Sequence, residues 1–370
     1  MQATPSEGLY KALIKAITFA ASIIIFLWLL FKITSVIMLL LFAVVLALII
    51  NAPITWLEKK GMKRIWACVI VFGSMVLTIV ALCWLIIPII SNQVSILISN
   101  IPDYASRLSF KFSEWFKNYP NLNKGLQKGS IDVLQFVPSL QNTIINIGNY
   151  SLSLISSLLI FILMMSMIAY MVVQPRPLVE LYLSFFSLSN RDKAANALSK
   201  CSIMLVGWFN SNLIAGLINA VSITVFLNIM DVPAALVWGV LAFFSGLVPK
   251  LGFYIMAVPP LLVALSVSPM TALWVAIFFL ALDEIMGDFI MPKVRSNMMN
   301  IHPASIIILL FAMGAAFGVF GIIMATPIAA IIKAYYEEFY LSKAKNDDHM
   351  EQRIDHILYR EVTPANDPLP

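Results

Sequence analysis

Long apolar runs separated by short charged links set the rhythm of this chain. By the rule of about 20 apolar residues per bilayer crossing, the runs Leu13 to Phe31, Thr34 to Ile50, Ile65 to Ile90, Tyr150 to Val173, Leu205 to Ile229 and Met270 to Ile285 predict about six full spans. The runs are continuous rather than alternating, so they predict helices and not barrel strands. A helix also satisfies its own backbone groups, which lipid cannot do. The first run continues well past the small residues Ala20, Ala21 and Ser22, and it exceeds the roughly 7–15 residues of a secretory leader. It is therefore read as an uncleaved span.

Two further apolar regions are interrupted. The stretch Pro233 to Val267 contains Gly246, Pro249, Lys250, Gly252 and the pair Pro259 and Pro260, and the stretch Pro303 to Lys333 contains Gly314, Gly318, Gly321 and Pro327. Each halves into arms too short for a comfortable crossing. That pattern predicts re-entrant or broken helical hairpins, which membrane proteins tolerate where the backbone lines an enclosed cavity.

The two regions also resemble each other. Pro233-Ala-Ala and Pro303-Ala-Ser open them, and Ile255-Met-Ala-Val-Pro259 and Ile323-Met-Ala-Thr-Pro327 recur in their second arms, with opening-to-closing proline spacings of 26 and 24 residues. On the topology below, the helix from Leu205 with the first hairpin and the helix from Met270 with the second enter from opposite sides, as in an inverted repeat.

Composition fits this picture. Of 370 residues, 61% are hydrophobic and only 12% charged, and the mean hydropathy is +0.91. Soluble domains have about 45–50% apolar usage, and no soluble core would hide this excess. The net charge of +5 comes from Lys and Arg scattered over the links, a topology signal rather than a nucleic-acid stripe. Cys68, Cys83 and Cys201 are widely spaced with no C-x-x-C pair, so neither a disulfide framework nor a zinc site is expected.

The link Asn51 to Arg64 holds Lys59, Lys60, Lys63 and Arg64, against one cation at Lys32. The positive-inside rule puts that link, and with it the amino terminus, in the cytoplasm. Gln174 to Lys200, Lys293 with Arg295, and the tail with Lys343, Lys345, Arg353 and Arg360 then fall inside. Ser91 to Asn149 falls outside although it carries Arg107, Lys111, Lys117, Lys124 and Lys128. This outer stretch has helical spacing at Val94, Leu97, Ile98 and Ile101, as for a helix lying on the membrane or capping the bundle. The organisation expected is scaffold spans (1–90), interfacial segment (91–149), fourth span and cytoplasmic connection (150–204), core with two hairpins (205–333) and cytoplasmic tail (334–370).

An ionisable residue in a span costs roughly 2.5–3.5 kcal/mol on insertion scales, so each is a candidate functional group. Lys250 at the first break has two readings, an anion contact or a snorkelling cation. Asp283, Glu284 and Asp288 are candidates for a coupling cation or proton, or else a solvated helix end paired with Lys293 or Arg295. Asn210, Asn212 and Asn219 in the fifth span are read either as interhelical glue or as path lining. His302 lacks a ligand-spaced partner, and no metal or cofactor is expected. No nucleophile with its base, phosphate loop or H-E-x-x-H pair is present in the sequence, so an enzyme is not expected. A membrane aspartic protease would need two embedded Asp residues, and only Asp283 is arguably placed.

The region Tyr170 to Lys333 resembles the autoinducer-2 exporter (AI-2E) family of bacterial membrane proteins, including PerM-type permeases. The resemblance rests on Val232-Pro-Ala-Ala-Leu-Val-Trp-Gly-Val-Leu241, Gly246-Leu-Val-Pro-Lys-Leu-Gly252, Gly287-Asp-Phe-Ile-Met-Pro-Lys293, Ile301-His-Pro303 and Gly318-Val-Phe-Gly-Ile-Ile-Met-Ala-Thr-Pro327. It implies a multispan inner-membrane transporter that exports autoinducer-2 or, in some relatives, exchanges sodium for protons. It also implies a homo-oligomer, a pentamer. By motif it points to Pro249, Gly252, Gly287, Asp288, Pro292, Lys293, Gly318, Gly321 and Pro327. The chain departs from the family pattern at Lys250 and Phe253, where an aromatic and a Pro are usual, and at Ser211 and Asn212, where a Gly-Gln pair is usual.

Together these readings predict an all-α membrane bundle acting as a secondary carrier or exporter of a small polar solute, neutral because few charges lie at depth. The expected solute path is Asn210, Asn212, Pro249, Lys250, Gly252, Gly318, Gly321 and Pro327. The alternatives are a sodium/proton antiporter using Asp283, Glu284 and Asp288, and a non-transport scaffold. The expected partners are the solute, the lipid bilayer and further copies of the chain, with no nucleic acid.

Overall fold

The structure is a computed structural model that describes residues 5–115, 151–246, 248, 251–294, 301–341 and 358, and among these there is no strand. The elements in order are α1 (Pro5–Lys59), α2 (Arg64–Trp115), α3 (Ser151–Val173), α4 (Pro175–Ser184), a 3-10 turn (Leu188–Asn190), α5 (Arg191–Ile229), α6 (Ala235–Ser245), α7 (Leu251–Val267) and α8 (Pro269–Glu284). A π turn (Ile285–Ile290), α9 (Met291–Val294), α10 (Pro303–Tyr336) and a second π turn (Glu337–Leu341) complete the order. By length and composition alone, four helical stretches could cross a membrane: Lys32–Lys59, Arg64–Gln93, Leu188–Ile229 and Pro303–Leu341, the last of which is interrupted at Gly318. A fifth forms if Leu159–Val173 and Pro175–Ser184, bent by 82° at Gln174, count as one.

The six expected spans depart from these elements in two ways: two of them merge, and Met270–Ile285 is the 16-residue α8, which is shorter than the roughly 20 residues of a crossing. Leu13–Phe31 and Thr34–Ile50 are parts of one 55-residue helix, α1. A lone Lys between apolar runs is a good helix former and supplies no stop signal, since neither Gly nor Pro accompanies it. The placement of the amino terminus rested on a turn at Lys32, so it no longer follows. At 1.5 Å per residue α1 is about 80 Å long, against a hydrocarbon core of about 30 Å. The described part of its first half, from Leu13 to Ile37, is largely exposed.

The turn between α1 and α2 is short and is made by Gly61, whose φ of 93° lies in the left-handed region open to glycine. α2 then runs past Ser91 to Trp115 without interruption, while the rest of the expected interfacial segment, 116–149, lies outside the described residues.

α5 is the spine of the fold. Its first part, at Cys201 and Leu205, packs with Met38, Val45 and Ile49 of α1 and Met324, Ala330 and Ala334 of α10. Its later part, at Ala215, Ile223 and Leu227, packs with Ala235, Trp238 and Ala242 of α6, Ala264 of α7 and Val275, Phe279 and Leu282 of α8. A third cluster joins α1, α2 and α3 around Ile54, Ala67 and Ile168.

Side chains with charge gather these elements at one face. Arg64 donates to the Val172 carbonyl at 2.8 Å, to Glu58 at 2.8 Å and to Asn51 Oδ1 at 2.5 Å, tying the α1–α2 turn to the end of α3. Nearby in the chain, Tyr182 of α4 donates to the Ala194 carbonyl at 3.0 Å and shares a 2.5 Å hydrogen bond with Tyr335. Lys200 pairs with Glu338 and, at 3.8 Å, with Glu337, fastening the end of α10 to α5. Two of the basic links read in the sequence are thus each tied to a neighbouring element, one through Arg64 and one through Lys200. Replacing Arg64 with Met is expected to lower stability by about 1–2 kcal/mol, because it leaves the Val172 carbonyl without its partner. Thermal unfolding of the purified variant checks this.

Candidate functional site

The two interrupted regions are built by close backbone approach. In the first, α6 has 11 residues and α7 has 17, both below the roughly 20 needed to cross. The chain bends sharply between them, so that a Cβ on Gly252 would overlap the Ser245 carbonyl oxygen. The first arm ends at Ser245 and the second begins at Leu251. Pro259 and Pro260 sit inside α7 rather than interrupting it.

In the second region α10 is two helices joined at Gly318, whose φ of 62° and ψ of −147° are non-helical. That combination is open to glycine alone. The arms are roughly 15 and 18 residues, about 22 and 27 Å at 1.5 Å per residue, both short of the hydrocarbon core of about 30 Å. They fold onto each other: a Cβ on Gly321 would overlap the Met313 carbonyl oxygen, and one on Gly314 would lie 3.1 Å from Ile322 Cγ1. In a straight helix residues eight apart are separated by about 12 Å of rise. Pro327 lies within the second arm and does not break it. Both breaks therefore use the same device, a glycine early in the second arm seated against a carbonyl of the first.

α5 meets both breaks on adjoining turns. Trp208, with Leu205, packs in the cluster that contains Met313 and Phe317 of the second break. One turn on, Asn212 Oδ1 lies 3.2 Å from a Cβ position on Gly246, and its Nδ2 donates to the Trp208 carbonyl at 2.9 Å. Beyond it α5 and α6 approach through glycines: a Cβ on Gly216 would stand 2.6 Å from the Phe243 carbonyl, and one on Gly239 2.6 Å from the Ala220 carbonyl. Small residues let backbones come this close in membrane helices.

Three buried polar atoms on these elements have no hydrogen-bond partner among the described residues: Ser211 Oγ and Asn219 Oδ1 on α5, and Thr326 Oγ1 in the second arm of α10. Their residues are 1%, 7% and 5% exposed. A hydroxyl in an apolar helix ordinarily donates to a carbonyl three or four residues back. Ser22, Ser74, Ser245 and Ser266 all do so. Ser211 and Thr326 do not. Pro327, next to Thr326, has no N–H to give the Ile323 carbonyl.

Of the expected path residues, Asn212, Gly252, Gly321 and Pro327 are buried at or beside the breaks, while Gly318 is exposed and Asn210 points away from the core. Pro249 and Lys250 lie outside the described residues. Asp283 is half-buried and accepts the Tyr254 hydroxyl at 2.5 Å, linking α8 to α7. Glu284 and Asp288 are exposed, and none of the three carboxylates forms an ion pair with a described residue. His302 caps α10, its Nδ1 accepting the Ala304 N–H at 3.2 Å. Sequence reasoning did not single out Ser211 or Thr326 as unpartnered, because nothing local distinguishes them from the serines that bond back to their own helix.

Comparison with known proteins adds the context. A family model described as AI-2E family transporter matches residues 17–341. YueF of Bacillus subtilis, which is named a transport protein, is 25% identical over 306 residues, spanning 80% of this chain and 82% of its own. YhhT of Escherichia coli, also named a transport protein, is 23% identical over 305 residues, 82% of this chain and 84% of its own. PerM of Escherichia coli, named a permease, is 22% identical over 312 residues, 80% and 85% of the two chains.

Proposed function

Because the chain belongs to the AI-2E family of membrane transporters, we propose that it carries a small uncharged polar solute along α5, past its two glycine breaks. The observation that carries this reading is the set of buried, unpartnered polar atoms at Ser211, Asn219 and Thr326. Each costs about 1–3 kcal/mol while unmet, and a solute bearing hydroxyls would meet them. No charged side chain among the described residues joins this set, which favours a neutral polyol such as autoinducer-2 over an ion.

The basic residues at Arg64 and Lys200 support the reading that their end of the bundle faces the cytoplasm of a bacterial inner membrane. Assembly into a homo-oligomer is expected from the family resemblance.

The test uses proteoliposomes of the full chain and a labelled panel of neutral polyols that includes autoinducer-2. Ser211→Ala with Thr326→Val is expected to lower kcat/KM about tenfold, equivalent to 1.4 kcal/mol. The same pair should leave the thermal midpoint unchanged or raise it, since it removes unmet groups. A purely structural role predicts the reverse, lower stability with transport intact. Sodium/proton exchange, the rival mechanism, would make flux collapse in an Asp283→Asn, Glu284→Gln, Asp288→Asn triple variant and depend on pH and sodium, and neither effect is expected.

A further inference from the structure

The chain leaves α3 by a sharp turn. Pro175 disfavours a helical conformation at the residue before it, and Gln174 accordingly sits at φ −127° and ψ 70°. α4 therefore departs at 82° to α3. From sequence the basic stretch Gln174 to Lys200 reads as a cytoplasmic connection, yet no residue of α4 is buried, and much of what it exposes is apolar.

α4 and the residues just past it have three faces, at about 100° per residue. Tyr182 and Phe186 fall on the first and turn toward the protein, where the Tyr182 hydroxyl meets that of Tyr335 and Phe186 stacks on Phe339 at 5.8 Å between ring centroids. Arg176 and Glu180 fall on the second and pair with each other at 3.0 Å. Leu178, Leu181 and Phe185, spaced i, i+3 and i+7, fall on the third and are 42%, 56% and 79% exposed.

What covers the third face follows from where α4 starts. The end of α3 lies beside the α1–α2 turn, since Arg64 donates to the Val172 carbonyl at 2.8 Å. At that turn Lys59, Lys60 and Lys63 are exposed and form no ion pair with a described residue. The carboxylates of the same two segments, Glu58 and Glu180, are spent on Arg64 and Arg176. Trp56, Trp66 and Tyr170 are exposed on the flanking helices, and Lys60 Nζ lies 3.6 Å from the centre of the Trp56 ring. Exposed Trp and Tyr beside cations anchor membrane helices at headgroup level. A helix that leaves a span there at 82° runs nearly parallel to the bilayer surface.

We propose that α4 lies in the membrane surface at this end of the bundle, with Leu178, Leu181 and Phe185 among the upper acyl chains and anionic phospholipid headgroups held by Lys59, Lys60 and Lys63. The cations attract lipid of negative charge, and the apolar face supplies the buried area that an interfacial helix needs. A second copy of the chain would cover the apolar face but give the three cations no role. This surface is separate from the path along α5 and does not depend on the solute assigned there.

The test uses the full-length chain in nanodiscs, with Cys68, Cys83 and Cys201 replaced and a bimane label on a single introduced cysteine. Leu178→Cys and Leu181→Cys report on the apolar face. Glu180→Cys, about 160° around the helix from Leu178, reports on the polar one. Lipid brominated at the upper acyl carbons is expected to quench the labels at Leu178→Cys and Leu181→Cys while aqueous iodide does not, with the reverse at Glu180→Cys. In mixed phosphatidylglycerol and phosphatidylcholine, brominating the first should quench the Leu178→Cys label at least about fivefold more per mole than brominating the second, the preference conferred by one surface cation at about 1 kcal/mol. Adding Lys59→Gln, Lys60→Gln and Lys63→Gln together should abolish that preference and leave the label in the acyl layer. The proposal is overturned if iodide quenches the labels at Leu178→Cys and Leu181→Cys, which puts the face in water, or if neither agent does, which puts it against protein. It is also overturned if the preference for phosphatidylglycerol is absent or survives the triple substitution.

Discussion

Replacing Gly321 with alanine is expected to remove most of the transport activity and to destabilise the protein by roughly 3 kcal/mol or more, the range reached when a substitution forces a backbone clash in a packed core. The added methyl would overlap the Met313 carbonyl oxygen and would lie 2.9 Å from Phe317 Cβ. Neither neighbour is the free end of a flexible side chain. The arms of α10 would have to part, and Phe317 would leave the cluster it shares with Leu205 and Trp208. Gly73→Ala is the matched control. Nothing lies within 4 Å of its Cβ position, so in the middle of α2 alanine should stabilise by about 0.5–1 kcal/mol. Thermal unfolding and proteoliposome flux, measured on both variants, separate a clash at the break from a general intolerance of added bulk.

Gly239→Ala is expected to have the second largest effect. Its Cβ would overlap Thr224 Oγ1, which could rotate, but it would also stand 2.6 Å from the Ala220 carbonyl, which could not. α5 and α6 would separate, loosening both this contact and the one at Gly216. The cost should be about 2–3 kcal/mol, typical of overpacking a close interface. Gly246 would also be drawn away from Asn212, so flux should fall by more than the loss of folded protein accounts for. Combining it with Thr224→Ala should recover little stability, because the carbonyl remains. Full recovery would place the clash in the side chain and contradict the account of the close approach.

The sequence marked both breaks, and the physical reason is local. Gly318 must take a conformation closed to other residues, and the seven residues from Gly246 to Gly252 include two glycines and a proline. Prolines were the weaker markers. Pro259, Pro260 and Pro327 lie inside helices, as membrane helices allow when neighbouring groups take up the freed carbonyls.

The merger at Lys32 has the same lesson in reverse, since a charge interrupts hydropathy without interrupting a helix. Asn212 was legible as an amide in an apolar run, although the same reading named Asn210, which faces outward. Ser211 and Thr326 were not legible as orphans because their burial without a partner is a property of α5 packed against the hairpins.

The account depends on α10 turning back at Gly318 inside the membrane, and a cysteine pair at Gly314→Cys and Ile322→Cys tests that most directly, in a background where Cys68, Cys83 and Cys201 are replaced. The Gly314 Cβ position lies 3.1 Å from Ile322 Cγ1, so exchanging that Ile for Cys makes room and brings the thiols within the roughly 3.5–4.5 Å Cβ separation a disulfide requires. The predicted result is rapid intramolecular disulfide formation in native membranes, read by mass spectrometry of the digested protein. Two thiols that stay free under oxidation, as expected for residues about 12 Å apart along an unbroken helix, would contradict the folded-back arm and the solute path proposed beside it.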